Sequence, residues 1–161
     1  MIWPHSKMKV AYRREVVLMD NAPQGKQVIP VIRGAFEMEG EEPHLIGTRC
    51  SKCGKAFFPP RSVCSYCLTD EGIEPARLGN RGKLYAYTVI NVASREFNPP
   101  YPFGFVIIEP EMIRIPTLLT EMPDQEILEA GTEMEMVVTK LRDDKEGNEI
   151  VTYKFRPVAN D

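Results

Sequence analysis

Cys50-Ser51-Lys52-Cys53, ten residues, then Cys64-Ser65-Tyr66-Cys67: this stretch decides how the rest of the 161-residue chain is read. Two residues between paired cysteines let both sulfurs reach one ion from a tight turn. Two such turns supply four thiolates in a tetrahedron, the set that Zn²⁺ takes in a structural site. Gly54 follows the first pair, and a glycine there can adopt the positive φ that aims backbone N–H groups at the sulfurs. Ala56-Phe57-Phe58-Pro59-Pro60-Arg61 reads as a strand and its return. The stretch is therefore read as a zinc ribbon with ligands Cys50, Cys53, Cys64 and Cys67. Tetrahedral sulfur also suits iron in a rubredoxin-like site, the less favoured metal. Paired redox dithiols are the other alternative, but no βαβ pattern surrounds either pair. Four sulfur ligands leave no open position, so the metal is expected to be structural and not catalytic.

Outward from the ribbon, composition sets limits. Apolar residues make up 43% and charged residues 27%, which excludes a wholly disordered chain. The net charge is −3, which disfavours a strongly basic polyanion binder. No apolar run is long enough to span a membrane. Lys7 and Lys9 precede no apolar core of signal-peptide length, so the chain is read as cytoplasmic, where thiols stay reduced. Residues 1–80 hold 11 basic and 9 acidic side chains, and residues 81–161 hold 9 and 14. This asymmetry, with a glycine-bearing join at Arg77-Leu78-Gly79-Asn80-Arg81-Gly82, divides the chain into an N-terminal arm (1–43), the ribbon (44–78) and a second unit (79–161).

The fold class expected is mainly β. In the arm, Val28-Ile29-Pro30-Val31-Ile32 carries a proline that argues against a central strand, and Ala35-Phe36-Glu37-Met38-Glu39 suits one helical turn. The first twenty or so residues read as a loose end, with Met8 and Met19 as alternative starts. Strands are expected at 83–92, 103–109, 113–119 (despite Pro116), 132–141 and 149–157. The last shows a clean period of two, and Asp143 to Asn148 form the polar hairpin turn before it. A short helix over 124–130, capped by Asp124 and ended by Gly131, separates the third and fourth strands. Five strands with a helix in that place match the element order of an OB-fold barrel.

No catalytic set is found. His5 and His44 have no nucleophile at a useful spacing, and nothing cradles phosphate. The aromatics are more informative: Tyr85, Tyr87, Phe97, Tyr101, Phe103 and Phe105 fall on the first two strands of the expected barrel and the loop between them. Half or more suit a core. Read functionally, Tyr85, Tyr87, Phe97 and Tyr101 form a stacking platform, with Arg81, Lys83, Arg95 and Arg114 near enough in sequence to meet phosphates. Asn98-Pro99-Pro100-Tyr101-Pro102 is a stiff stretch fit for contact with a partner chain.

Cys50-x-x-Cys53-Gly54, Phe58-Pro59-Pro60-Arg61, Cys64-x-x-Cys67 and Gly82-Lys83-Leu84-Tyr85-Ala86-Tyr87-Thr88 together resemble the rubredoxin-like zinc ribbon plus OB-fold proteins of domain-of-unknown-function family 35. The match runs from about Ile29 to Pro157. Gly34-Ala35-Phe36 and Glu42-Pro43-His44-Leu45-Ile46-Gly47 resemble the branch that accompanies thiolase-like enzymes. Ser65 and Leu68 depart from the proline or glycine that members often carry around the second pair. The leucine in particular predicts a less regular second turn. The resemblance implies a non-catalytic scaffold subunit that associates with a thiolase, a hydroxymethylglutaryl-CoA synthase or another acyl-CoA enzyme, and it makes coenzyme A a candidate ligand for Arg81, Lys83, Tyr85, Tyr87, Phe97 and Tyr101. Two alternatives remain at this point: a single-stranded nucleic-acid-binding OB-fold, which the acidic second half disfavours, and a directly catalytic acyl-CoA enzyme, which no nucleophile–base pair supports.

Overall fold

The computed structural model describes residues 26–92, 97–123 and 127–158. The expected loose N-terminal end, the alternative starts Met8 and Met19, His5, Arg95 and the helix cap Asp124 lie outside these residues. Among the described residues no helix is long and apolar enough to cross a membrane.

Ten strands carry the fold, as the mainly β reading expects: β1 (Val28–Pro30), β2 (Phe36–Glu39), β3 (Glu42–Cys50), β4 (Ala56–Phe57), β5 (Ile73–Arg77), β6 (Arg81–Ile90), β7 (Tyr101–Glu109), β8 (Ile113–Leu118), β9 (Glu133–Asp143) and β10 (Glu149–Pro157). They form two sheets. One is six-stranded in the order β1-β10-β9-β6-β7-β8, and the other joins β2, β3, β4 and β5 around β3. The five strands expected after residue 80 are β6 to β10. The sheet gains a sixth, β1, which pairs in parallel with β10 through Val28 and Glu149. Pro30 and Pro116 lie on the two outermost strands of that order, where a missing N–H leaves no ladder broken.

The sheet curls into a half-barrel. Leu119 bridges Phe155 in parallel, and the Thr120 N–H donates to the Phe155 carbonyl at 3.0 Å. The curl needs close approach where β6 meets both β7 and β9. At Gly82 a Cβ would stand 2.2 Å from the Ile107 carbonyl oxygen, so only glycine fits. Alternation along the strands sends Leu84, Val106, Ile108, Ile115, Met134, Met136 and Phe155 inward, and Leu45 and Ala56 of the second sheet, with Leu78 just beyond β5, join the same core. Phe58 and Tyr153 meet edge to face at 5.7 Å, tying the β4 return to β10.

Two local expectations fail. Ala35 to Glu39 is not a helical turn: Phe36–Glu39 is a strand paired antiparallel with β3, with Phe36 opposite Leu45 and packed on the core. The partner is near in sequence: Glu39 pairs with Glu42 across a two-residue turn at Gly40-Glu41, where Gly40 holds φ +63°, so a hairpin overrides the helical propensity of the segment. In the stretch expected to be helical, residues 124–126 lie outside the described residues and Ile127 to Ala130 are coil and turn.

Candidate metal centre

β3 delivers Cys50 to the end of a strand, fully buried, with Ile73 of β5 as its neighbour in register. The chain then turns. The Gly54 N–H donates to the Cys50 carbonyl at 2.8 Å and the Cys50 N–H to the Lys55 carbonyl at 2.9 Å. The second pair repeats this geometry residue for residue. The Leu68 N–H donates to the Cys64 carbonyl and the Cys64 N–H to the Thr69 carbonyl, both at 2.8 Å. Gly54 holds φ +72° and Leu68 holds φ +53° at the same point of each turn. The second turn is therefore as regular as the first, against expectation. A leucine occupies the left-handed conformation there, which costs a residue bearing a Cβ about 1–2 kcal/mol.

The two turns bring one ligand atom from each of Cys50, Cys53, Cys64 and Cys67 within 4.8 Å of one another. The Cys53 and Cys64 sulfurs stand 3.6 Å apart. A tetrahedron of thiolates at the Zn–S distance has edges of about 3.8 Å, so the donor set and its spacing fit the ion. Cys50 and Cys64 are buried and Cys53 and Cys67 face outward. The Cys67 N–H points at the Cys64 sulfur at 3.4 Å. Burial pushes the Cys64 thiol up, but hydrogen bonds from the Cys67 and Tyr66 N–H groups and from the Cys53 and Cys50 thiols outweigh it and bring it down to about 7. Cys67 is pushed up to about 12, first by its hydrogen bond with Cys53 and then by burial. Four sulfurs this close cannot all ionise without a cation among them. Across the centre, the Lys52 ammonium of the first turn meets the Glu71 carboxylate beyond the second at 2.8 Å, raising the pKa of Lys52 and lowering that of Glu71.

The residues expected to contact a ligand fall in separate places. A β-bulge between Leu84 and Ala86 turns Tyr85 outward, where the Arg114 guanidinium covers its ring at 4.7 Å and reaches Phe105 at 5.9 Å. Arg81 and Lys83 line a different hollow, and Arg81 pairs with Glu135 at 3.3 Å. Tyr87 packs against the core. Phe97 and Tyr101 stack at 5.5 Å and line a cavity of about 130 Å³ with Leu118, Leu141 and Lys154. The alternation of β10 gave no sign that Lys154 serves this cavity. Burial pushes its ammonium below the usual lysine range, and its hydrogen bond is to the Lys140 carbonyl at 3.3 Å. His44 sits 3.9 Å from the Glu39 and Glu42 carboxylates.

Residues 39–71 match the profile of the rubredoxin-like zinc ribbon domain of ChsH2. Over 118 residues the chain is 33% identical to a DUF35 domain-containing scaffold protein of Methanocaldococcus jannaschii, covering 72% of this chain and 83% of that one. Over 120 residues it is 35% identical to the benzoylsuccinyl-CoA thiolase subunit BbsA of Thauera aromatica, covering 74% and 81%. The solved Ltp2-ChsH2(DUF35) aldolase shares the fold, with a TM-score of 0.57 at 24% identity over 71% of this chain and 84% of that one.

Proposed function

The chain belongs to the DUF35 family, and on that premise we propose that it is a non-catalytic, zinc-stapled scaffold subunit of an acyl-CoA enzyme of the thiolase type, acting in the cytoplasm. The observation that carries this reading is the similarity to a thiolase subunit across most of both chains. The sulfur set supports it. Cys50, Cys53, Cys64 and Cys67 would fill all four positions of a zinc ion, which then supplies a cross-link and no reactive water. Such a cross-link substitutes for apolar core in a ribbon whose own buried cluster is only Cys50, Phe57 and Cys64. The division into an arm, a ribbon and an OB-fold unit, 1–43, 44–78 and 79–161, is retained in this proposal.

Coenzyme A is the proposed small-molecule contact. The Arg114 guanidinium stands over Tyr85 at 4.7 Å and near Phe105 at 5.9 Å, with no carboxylate partner among the described residues. Its N–H groups are free of acidic partners and can meet a phosphate, with Lys83 exposed on the same strand as Tyr85. A polynucleotide would need a longer basic track, whereas Arg81, Lys140 and Arg156 are each engaged by carboxylates.

Affinity-tagged protein expressed in its native cell tests the proposal. The expected result is co-purification with an acyl-CoA enzyme, no acyl-CoA turnover by the isolated chain, and a raised KM for acyl-CoA in the complex when Arg114→Ala is introduced. Recovery of the chain without such an enzyme, or turnover by the chain alone, would refute it.

A further inference from the structure

The second turn of the ribbon carries backbone strain beneath a side chain left exposed among the described residues. Leu68 is 83% exposed while holding φ +53°. The equivalent residue of the first turn is Gly54, whose Cβ position opens onto empty space. Glycine would close the second turn equally well without the Cβ–carbonyl crowding of left-handed backbone, and Leu68 gains no burial in exchange. Tyr66, 68% exposed, and Val63, 47% exposed, stand on the same turn. The turn is held rigidly by the two Cys64 backbone hydrogen bonds and by the Tyr66 ring lying 6.3 Å from Phe57. Two cations sit at its base. Lys55 stacks on Tyr66 at 5.5 Å and Arg61 on Phe57 at 5.6 Å, and neither has a carboxylate partner among the described residues. The projection is thus apolar at the tip and positive at the root.

We propose that this turn is the knob by which the chain docks on its enzyme: Leu68, flanked by Tyr66 and Val63, enters an apolar pocket of the acyl-CoA enzyme subunit, and carboxylates on the pocket rim meet Lys55 and Arg61. The inference rests on the scaffold reading above and adds the surface that makes the contact. Strain held at an exposed apolar residue on a rigid support is the pattern of a residue shaped for a partner. Unpaired cations around it define the charge of the complementary rim.

The test uses the tagged chain and its Leu68→Gly variant. The acyl-CoA enzyme recovered with the wild type is produced separately and titrated against both. Leu68→Gly is expected to keep one zinc per chain and to melt about 2–4 °C higher as the strain is released. It is also expected to bind the enzyme at least tenfold more weakly, about 1.4 kcal/mol. Lys55→Glu should weaken binding as well, with unchanged metal content. A merely structural role for Leu68 would move stability and affinity in the same direction. Equal affinity of wild type and Leu68→Gly overturns the docking knob and leaves the scaffold reading standing. Absence of any acyl-CoA enzyme from the wild-type recovery overturns both. A concentration-dependent dimer that disappears in Leu68→Gly would show that a second copy occupies the knob, and would overturn the proposal in that form.

Discussion

Glu111 is the joint between the two sheets, and its removal should be felt across both. Its side chain is only 4% exposed and accepts from two directions. The Arg49 guanidinium of β3 donates to one oxygen at 2.9 Å, and the Gly79 N–H donates to the other at 3.1 Å. Gly79 lies in the link between β5 and β6, so one carboxylate fixes the ribbon sheet, the link and the β7–β8 turn together. In Glu111→Ala the Arg49 head, 43% exposed, regains water. Its share of the loss is therefore small, about 0.5–1 kcal/mol, below the usual value for a charged hydrogen bond. The Gly79 N–H lies deeper and loses its acceptor, which costs roughly 1–2 kcal/mol. Together the variant should be about 1.5–3 kcal/mol less stable and melt roughly 3–12 °C lower. Glu111→Gln keeps one acceptor but turns an N–H toward the other donor, and should fall between. Urea unfolding with zinc in excess, so that metal loss does not limit the transition, measures both. An alanine variant within 0.5 kcal/mol of the parent at equal m-value would refute the joint.

Chelation should remove one zinc per chain and unprotect the amides of residues 50–69 while β9 and β10 stay protected, read by hydrogen exchange; Cys64→Ser should do the same without chelator. Phe155 is fully buried where the sheet closes on Leu119, so Phe155→Ala should cost about 3–5 kcal/mol in guanidinium unfolding. The Asp144 carboxyl is held below its ordinary range by the Asn148 side-chain amide, and by the N–H groups of Asn148, Glu146 and Gly147 acting against burial. Its folded pKa is depressed, so its contribution is present above the ordinary value of 3.8 and is lost as pH falls through the folded value. Asp144→Asn should therefore narrow the gap between the melting temperatures at pH 5 and pH 3.

What could be read from the sequence was what depends on neighbours along the chain. Cysteine spacing is such a signal, because each turn closes on itself through bonds four and five residues long. The strand at 149–157 is another, although its expected period of two is broken by a bulge between Ile150 and Val151 that leaves Ile150, Val151 and Thr152 all buried. The rest depends on strand pairing and core packing, near or far in sequence, which propensity does not report. Val28–Pro30 becomes a strand only because Glu149–Val151, near the other end of the chain, offers an edge. Phe36 extends because Leu45 and the core lie opposite. The aromatic set looked like one platform because its members are close in sequence. The bulge at Tyr85 and the alternation of β6 send Tyr85 outward and Tyr87 to the core, while Phe97 and Tyr101 reach a separate cavity with Lys154. Leu68 in place of glycine predicts a less regular second turn, yet that turn matches the first. The backbone accepts the leucine in the glycine's conformation, and only its exposure reveals that the side chain has no use inside the fold.

Lys55, Arg61 and Arg114 each lie over aromatic rings, and none has a carboxylate partner among the described residues. Lys52, Arg77, Arg81, Lys140 and Arg156 are all neutralised by acids. A cation held on a ring is pre-oriented and surrenders little side-chain freedom when it meets an anion. In a chain of net charge −3, positive potential is thus presented at two places where aromatic surface is also exposed: the second turn of the ribbon, and the outward face of β6–β8. Two small patches of this kind cannot follow a polymeric phosphate backbone, whose binding grows with the number of phosphates neutralised. They suit discrete anionic groups set beside apolar surface: carboxylates around a pocket on a protein at one patch, and the phosphates of a nucleotide-bearing thioester at the other. The proposed role, holding an enzyme beside its acyl-CoA, would use both.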